Sequence, residues 1–249
     1  MSQIKLSFVA CASNAEVLAK RLLASPCLRP GGLALAVYFN AASAAQGFNA
    51  ATAAASPAAK TAAPTDHWLV WLHQDVFLPE GWDTRFAKAL TDAAQRFPKL
   101  AVAGVYGIAG AGAQARRAGH VLDRGTLLHE PTTLPCLADS LDELLFAVRV
   151  DTGLLLDAAL GFDFYATDLV LQAQERGWQC AVLDACCEHW SDTPASGAVP
   201  QAVVERIKRS AAVFERKWAQ RLPITTPCFD IARQGDVAAF IDSIVVKLP

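Results

Sequence analysis

Residues 73–75, His-Gln-Asp, follow directly on the apolar run H-W-L-V-W-L that begins at His67. A chain that drives an apolar strand into an imidazole, an amide and an acid has put metal-binding chemistry at the strand's end. Asp75 can hold a hard cation such as Mg²⁺ or Mn²⁺ through oxygen, with His73 as a nitrogen ligand. The competing reading is an acid that caps the loop before Pro79-Glu80-Gly81-Trp82. Asp168 opens a helical pattern inside residues 161–177. A carboxylate in a cleft accepts a proton from a sugar hydroxyl, whereas at a helix start it also interacts favourably with the helix dipole. Residues 186–191 read C-C-E-H-W-S. Adjacent cysteines chelate one metal awkwardly and no C-x-x-C exists, so Cys186 and Cys187 read as core packing. His189 is then a structural imidazole or a ligand at the end of an apolar segment.

These residues need elements to hold them, and the hydrophobic pattern supplies an alternating series. I-K-L-S-F-V-A is a first strand, followed by a helix that stops before Pro26, and L-A-L-A-V-Y-F is a second. An alanine-rich stretch follows, predicted helical in its first half and a loop around Pro57 and Pro64. The third strand, His67 to Leu72, leads to an amphipathic helix carrying Phe86, Leu90, Ala93 and Phe97. L-A-V-A-G-V-Y is a fourth strand and L-L-F-A-V-R-V another; the glycine-rich run from Gly104 between them reads as a flexible loop. D-R-G at residues 123–125 suits a hairpin turn, and Gly177 suits the end of a helix. C-A-V-L-D is a last strand before two closing helices. Near-continuous apolar strands in β-α-β alternation predict a mostly parallel sheet covered on both faces, with ligands beyond the carboxyl ends of its strands.

Composition narrows the function. The 249 residues are 53% hydrophobic and 18% charged, ample for a core, and the net charge of −2 offers no basic surface for nucleic acid. The cysteines number seven, an odd count without C-x-x-C, which suits a reducing compartment. The opening residues read as a strand rather than a leader, and no run of about 18 apolar residues suggests a transmembrane anchor. There is no G-K-[ST] phosphate loop and no G-x-S-x-G elbow. The expected placement is cytoplasmic, at most peripheral to a membrane.

Taken in order, W-L-V-W-L-H-Q-D-V-F-L-P-E-G-W, G-F-D-F-Y-A-T-D-L-V-L-Q-A and C-E-H-W-S resemble the glycosyltransferase-like proteins related to glycosyltransferase family 2. The likeness extends to S-A-A-Q-G-F-N-A-A and F-E-R-K-W and covers roughly residues 4–222. It implies a GT-A fold of class α/β: a Rossmann-like, mostly parallel sheet flanked by helices, with a small antiparallel acceptor-side element. It implies one domain over 1–249, with a nucleotide-sugar half to about residue 110, an acceptor half to about 222 and a C-terminal extension. The H-Q-D triplet stands where such enzymes carry D-x-D, so the first acid is replaced by His73. The resemblance assigns Asp75 and His189 to a Mn²⁺ or Mg²⁺ ion, and Asn14, Asn40, Asn49, His73 and Gln74 to the donor. Asp168 becomes the base of an inverting transfer to a hydroxyl of a glycan, lipid-linked or protein acceptor; a retaining course is not excluded. Two other readings stand beside it: a GT-A-fold binding protein without activity, for which the replaced acid argues, and a nucleotidyltransferase. The glycine-rich basic loop of the latter is absent, since the first strand runs into C-A-S-N-A-E.

Overall fold

The computed structural model describes residues 4–61, 67–190 and 199–245. The first half comprises β1 (Lys5–Ala12), α1 (Ala15–Lys20), β2 (Leu35–Phe39), α2 (Ala44–Thr61), β3 (His67–His73), β4 (Val76–Phe77), α3 (Trp82–Arg96), β5 (Leu100–Gly104) and β6 (Tyr106–Ala109). The second comprises β7 (Arg116–Asp123), β8 (Thr126–His129), β9 (Cys136–Leu137), β10 (Ser140–Leu141), β11 (Leu145–Arg149), α4 (Tyr165–Glu175), β12 (Gln179–Val182) and β13 (Glu188–His189). It closes with α5 (Gln201–Lys217), β14 (Ile224–Thr225), β15 (Asp230–Ile231) and α6 (Asp236–Val245).

β3 explains the core. Six of its seven residues are buried, because helices cover both faces of the sheet. Trp68, Val70 and Leu72 point to one side, against Trp82, Phe86 and Leu90 of α3. Leu69 and Trp71 point to the other, against Phe48 of α2 and Tyr165 and Leu169 of α4. A third cluster joins Phe164 and Leu171 to Phe214 of α5 and Val237 and Ile241 of α6. Strand alternation and the period of the amphipathic helices account for all three.

The large sheet has the order β2-β1-β3-β11-β5-β12-β9. It is mixed, which corrects the expectation of a mostly parallel sheet. β1 pairs parallel with β2 and β3, and β12 parallel with β5, but β11 enters antiparallel between β3 and β5 and β9 antiparallel on β12. β11 is an apolar strand long enough to fill the gap between two others, and nothing in its pattern encodes direction. A second sheet, β10-β6-β7-β13-β4 with β8 on β7, stands beside the first. The hairpin expected at Asp123-Arg124-Gly125 joins β7 to β8, with Arg124 and Gly125 both at positive φ.

Three local expectations change. α2 continues through Pro57 to Thr61, alanine propensity outweighing the backbone bond that proline removes, while Pro64 lies outside the described residues. Within the glycine-rich run from Gly104, Tyr106–Ala109 form the strand β6 rather than loop, because small residues let β10 lie close: a Cβ on Gly107 would meet the Ser140 carbonyl at 2.3 Å. Short strands β13–β15 follow the one expected to be last.

Gly119 on β7 has φ +94, and a Cβ there would meet the Val105 carbonyl oxygen at 2.1 Å. Gly119→Ala is expected to cost more than about 2 kcal/mol through strain and displaced backbone. A urea midpoint equal to wild type would show that β7 has room to shift.

Candidate functional site

A cavity of about 360 Å³ opens beyond the carboxyl ends of β1, β2 and β3. Cys11, Asn40, Trp71, His73, Gln74, Asp75, Phe162 and Arg206 are among the residues that line it. Burial lifts the Cys11 thiol to about 11, so it stays protonated. Gln74 joins β3 to the turn after β1: its Oε1 accepts from the Ser13 and Asn14 amides, both at 3.0 Å. Asn40, at φ 50, ends β2 and donates its backbone N–H to the Ala12 carbonyl at 2.8 Å.

Asp75 carries the unusual feature. Its Oδ1 is buried and, among the described residues, takes no hydrogen bond. His73 Nδ1 stands 3.9 Å from it and His189 Nε2 3.5 Å, and the ligand atoms of the three residues all lie within 4.8 Å of one another.

Each imidazole is fixed by its other nitrogen. His189 Nδ1 lies 2.9 Å from Asp123 Oδ1, a contact that fixes the ring with Nε2 turned toward Asp75. His73 Nε2 lies 2.7 Å from the Tyr165 hydroxyl. The hydroxyl also accepts the Trp71 indole N–H at 3.1 Å and donates to the Glu143 carbonyl at 3.4 Å. In the tautomer that donates from Nε2 to this hydroxyl, His73 turns its Nδ1 lone pair toward Asp75. Burial holds His73 below the usual imidazole range, helped by His189 and opposed by Asp75, so the ring is neutral.

Two imidazole nitrogens and a buried carboxylate oxygen thus converge, and with each ring's proton on its outer partner the set could hold a divalent metal ion. Strand pairing builds it. β13 lies between β4 and β7 with His189 opposite Val76 on one side and Asp123 on the other. That register brings an acid of the hairpin, a late histidine and the end of β3 to one point.

The expected residues divide sharply. His73, Asp75 and His189 come together, with Gln74 and Asn40 beside them. Asn14 is spent as the N-cap of α1, accepting from the Glu16 and Val17 amides at 3.0 and 3.1 Å. Asn49 is spent on both backbone groups of Leu156, each at 2.9 Å. Neither lines the cavity, so both stand apart from the residues they were expected to join.

Asp168 does not line the cavity either. Its carboxylate is fully buried and receives the Trp218 indole N–H at 2.8 Å, Lys217 Nζ at 2.7 Å and Gln172 Nε2 at 2.7 Å. Burial pulls Lys217 down, but its bonds to Asp157 and Asp168 outweigh that and hold the ammonium charged. With three donors on it, Asp168 pins α5 to α4 and stands outside the cavity where its expected role as base would place it. Residues that sequence reasoning passed over are Asp123, read only as a turn residue, Tyr165, which fixes His73, and Arg206 on α5. Arg206 makes a two-pronged pair with Asp163, both contacts at 3.1 Å. A sequence signal existed only for Arg206, in the basic E-R-I-K-R-S segment, which reads as a solvated face.

Comparison with protein-family models and with curated proteins returns no match for this chain.

If Asp168 is structural, Asp168→Ala should destabilise the fold by about 3 kcal/mol, since it strands a buried indole N–H and weakens a partly buried ion pair. Urea denaturation measures this. A variant as stable as wild type would return Asp168 to the list of candidate bases.

Proposed function

We propose that the chain is a nucleotide-sugar-dependent glycosyltransferase of GT-A type, with its donor site in the cavity at the ends of β1, β2 and β3. The observation that carries the reading is the orphaned Asp75 oxygen between two imidazole nitrogens at the mouth of that cavity. The donor half runs roughly to residue 110 and carries β1, β2 and β3; residues to about 222 form the acceptor side of the same domain, and strands of both halves enter both sheets.

The donor set selects among cations. Two nitrogens and one oxygen suit Mn²⁺ better than Mg²⁺, which asks for oxygen ligands and near-ideal octahedral geometry. When bound, the ion offsets the negative charge that a leaving nucleoside diphosphate gathers. The chain's own residues do the rest. His73, Asp75 and His189 hold the ion, with Tyr165 and Asp123 fixing the two rings. Arg206 borders the same cavity with guanidinium N–H groups beyond those given to Asp163, suited to diphosphate oxygens. Trp71 and Phe162 provide apolar wall. Asn40 and the Cys11–Ser13 turn border the nucleoside end.

A GT-A-fold protein that binds nucleotide without transferring sugar is the second reading. The observation favouring it is that Asp168 is committed to α5, so the expected base is spent.

The test is a thermal-shift screen against UDP, GDP, CDP and dTDP, each with and without Mn²⁺. Binding to the folded state at 100-fold above Kd adds about 2.7 kcal/mol. One nucleotide should raise Tm, more so with Mn²⁺, and Asp75→Ala should abolish the Mn²⁺ increment. Absence of any shift with all four would refute the donor site. A shift that ignores Mn²⁺ would remove the metal and keep the nucleotide.

A further inference from the structure

Of the five histidines, two meet on the second sheet, away from the cavity at the strand ends. His120 on β7 stands directly opposite His129 on β8, with ring centroids 5.4 Å apart and 40° between the planes. Directly opposed residues of an antiparallel pair project from the same face, so both imidazoles rise on one side of the hairpin. Leu122 and Leu127, opposed to each other two residues along, share that face.

A third group reaches the pair from the connection between β12 and β13. Asp184 Oδ1 lies 3.2 Å from His120 Nε2 and, among the described residues, forms no other ion pair. The backbone around that acid is fixed. The Leu183 N–H donates to the Gly104 carbonyl at 2.8 Å, and the Ala185 carbonyl accepts the Trp82 indole N–H at 3.2 Å. The Cys187 carbonyl accepts the Leu122 N–H at 2.9 Å, which ties the connection to β7 two residues from His120. The His120 side chain is only 17% exposed, whereas that of Asp184 is 71% exposed and His129 is exposed as well. The cluster thus has a packed base and a side open to water.

Two atoms 3.2 Å apart have the spacing of metal ligands. Neighbouring ligands of a tetrahedral ion with bonds of roughly 2.0–2.1 Å stand about 3.3–3.4 Å apart. His129 completes the set by turning. Among the described residues, only His73, Asp75 and His189 already bring their ligand atoms within 4.8 Å of one another. An exposed side chain exchanges rotamers freely, so His129 can swing a nitrogen toward its neighbours.

We propose that His120, His129 and Asp184 form a second metal site, separate from the first cavity, for a transition-metal ion of the Zn²⁺ class. Two imidazoles and one carboxylate select that class over Mg²⁺ and Ca²⁺, which take oxygen ligands. Three protein ligands leave the fourth tetrahedral position to water. The site's place in the fold gives the ion a bracing role. β8 pairs with β7 alone. An ion held by His129, His120 and Asp184 ties β8 to the connection that leads into β13. It thereby braces the hairpin that carries Asp123 against the strand that carries His189. Nothing in this site depends on what the first cavity holds.

Isothermal titration calorimetry of the full chain with ZnCl₂ tests the site. Asp75→Ala removes the only carboxylate among the three ligands of the first site, and this variant should still bind a single equivalent of zinc. Adding His129→Ala or Asp184→Asn to it should weaken that equivalent at least about tenfold, the lower end of what losing even an outer partner costs a metal. Both side chains are exposed, so neither change disturbs the core. In NMR spectra of Asp75→Ala, zinc should shift the ring resonances of His120 and His129 and leave His67 in place. An Asp75→Ala protein that binds no zinc overturns the site. So does zinc affinity unchanged in both double variants, or ring shifts confined to His73 and His189. Zinc held by Asp75→Ala and lost with His129, in a chain that binds no nucleotide, supports this site while removing the donor site.

Discussion

The pairing of a two-residue strand holds the site together. Glu188 and His189 hydrogen-bond as β13 between β4, antiparallel, and β7, parallel. Without that register His189 would not stand beside Asp75, Asp123 would have no ring to orient, and the loop after β3 would lose a backbone partner. The pairing is reinforced on both flanks: the Asp75 carbonyl accepts the Trp190 amide at 3.0 Å, and the His189 carbonyl accepts the Arg124 amide at 2.8 Å. The Trp190 ring in turn lies under the Arg21 guanidinium, 4.0 Å from its centroid. A short strand is thus fixed by neighbours from three distant parts of the chain.

Around that point the fold separates two tasks. The faces of β3 are given wholly to packing, with Trp68, Val70 and Leu72 on one side and Leu69 and Trp71 on the other. Its polar residues stand at the two ends, His67 paired with Ser7 and His73 at the site. Close packing on both sides fixes where the strand ends to within the slack of a packed core. Hence His73 can be aimed by a single hydroxyl. The buried aromatic network of Trp71, Phe146 and Tyr165, with ring centroids 5.6 to 6.2 Å apart, positions that hydroxyl. A packing interaction and a polar interaction therefore share the same residue.

What the sequence disclosed follows from the range of the interactions. Strand and helix identities were legible because apolar periodicity is local: β3, α3, the Asp123–Gly125 hairpin and the Gly177 stop stand where the pattern puts them. His73, Asp75 and His189 were legible as candidates because each ends an apolar segment. Direction of β11 was not legible, since a buried strand reads alike either way. The spent roles of Asn14, Asn49 and Asp168 were also hidden. Their partners lie up to 107 residues away, as for Asn49 and Leu156, and only the folded chain brings these together. The resemblance carried the same weakness, because it placed Asp168 by motif order, and motif order says nothing of Lys217 and Trp218.

The Gln74 clamp carries one more consequence. Its oxygen takes the amides of Ser13 and Asn14, and the Asn14 side chain takes those of Glu16 and Val17. Four backbone donors at the start of α1, where many α/β proteins cradle phosphate, are thereby closed off by the chain's own atoms. Counter-charge for an anion in this cavity must come from Arg206 and from whatever cation Asp75 attracts. The fixed dipoles of the backbone are no longer on offer. An anion held in that way is held by one guanidinium and a dissociable ion, so its grip answers to ionic strength and to metal supply in the surrounding solution.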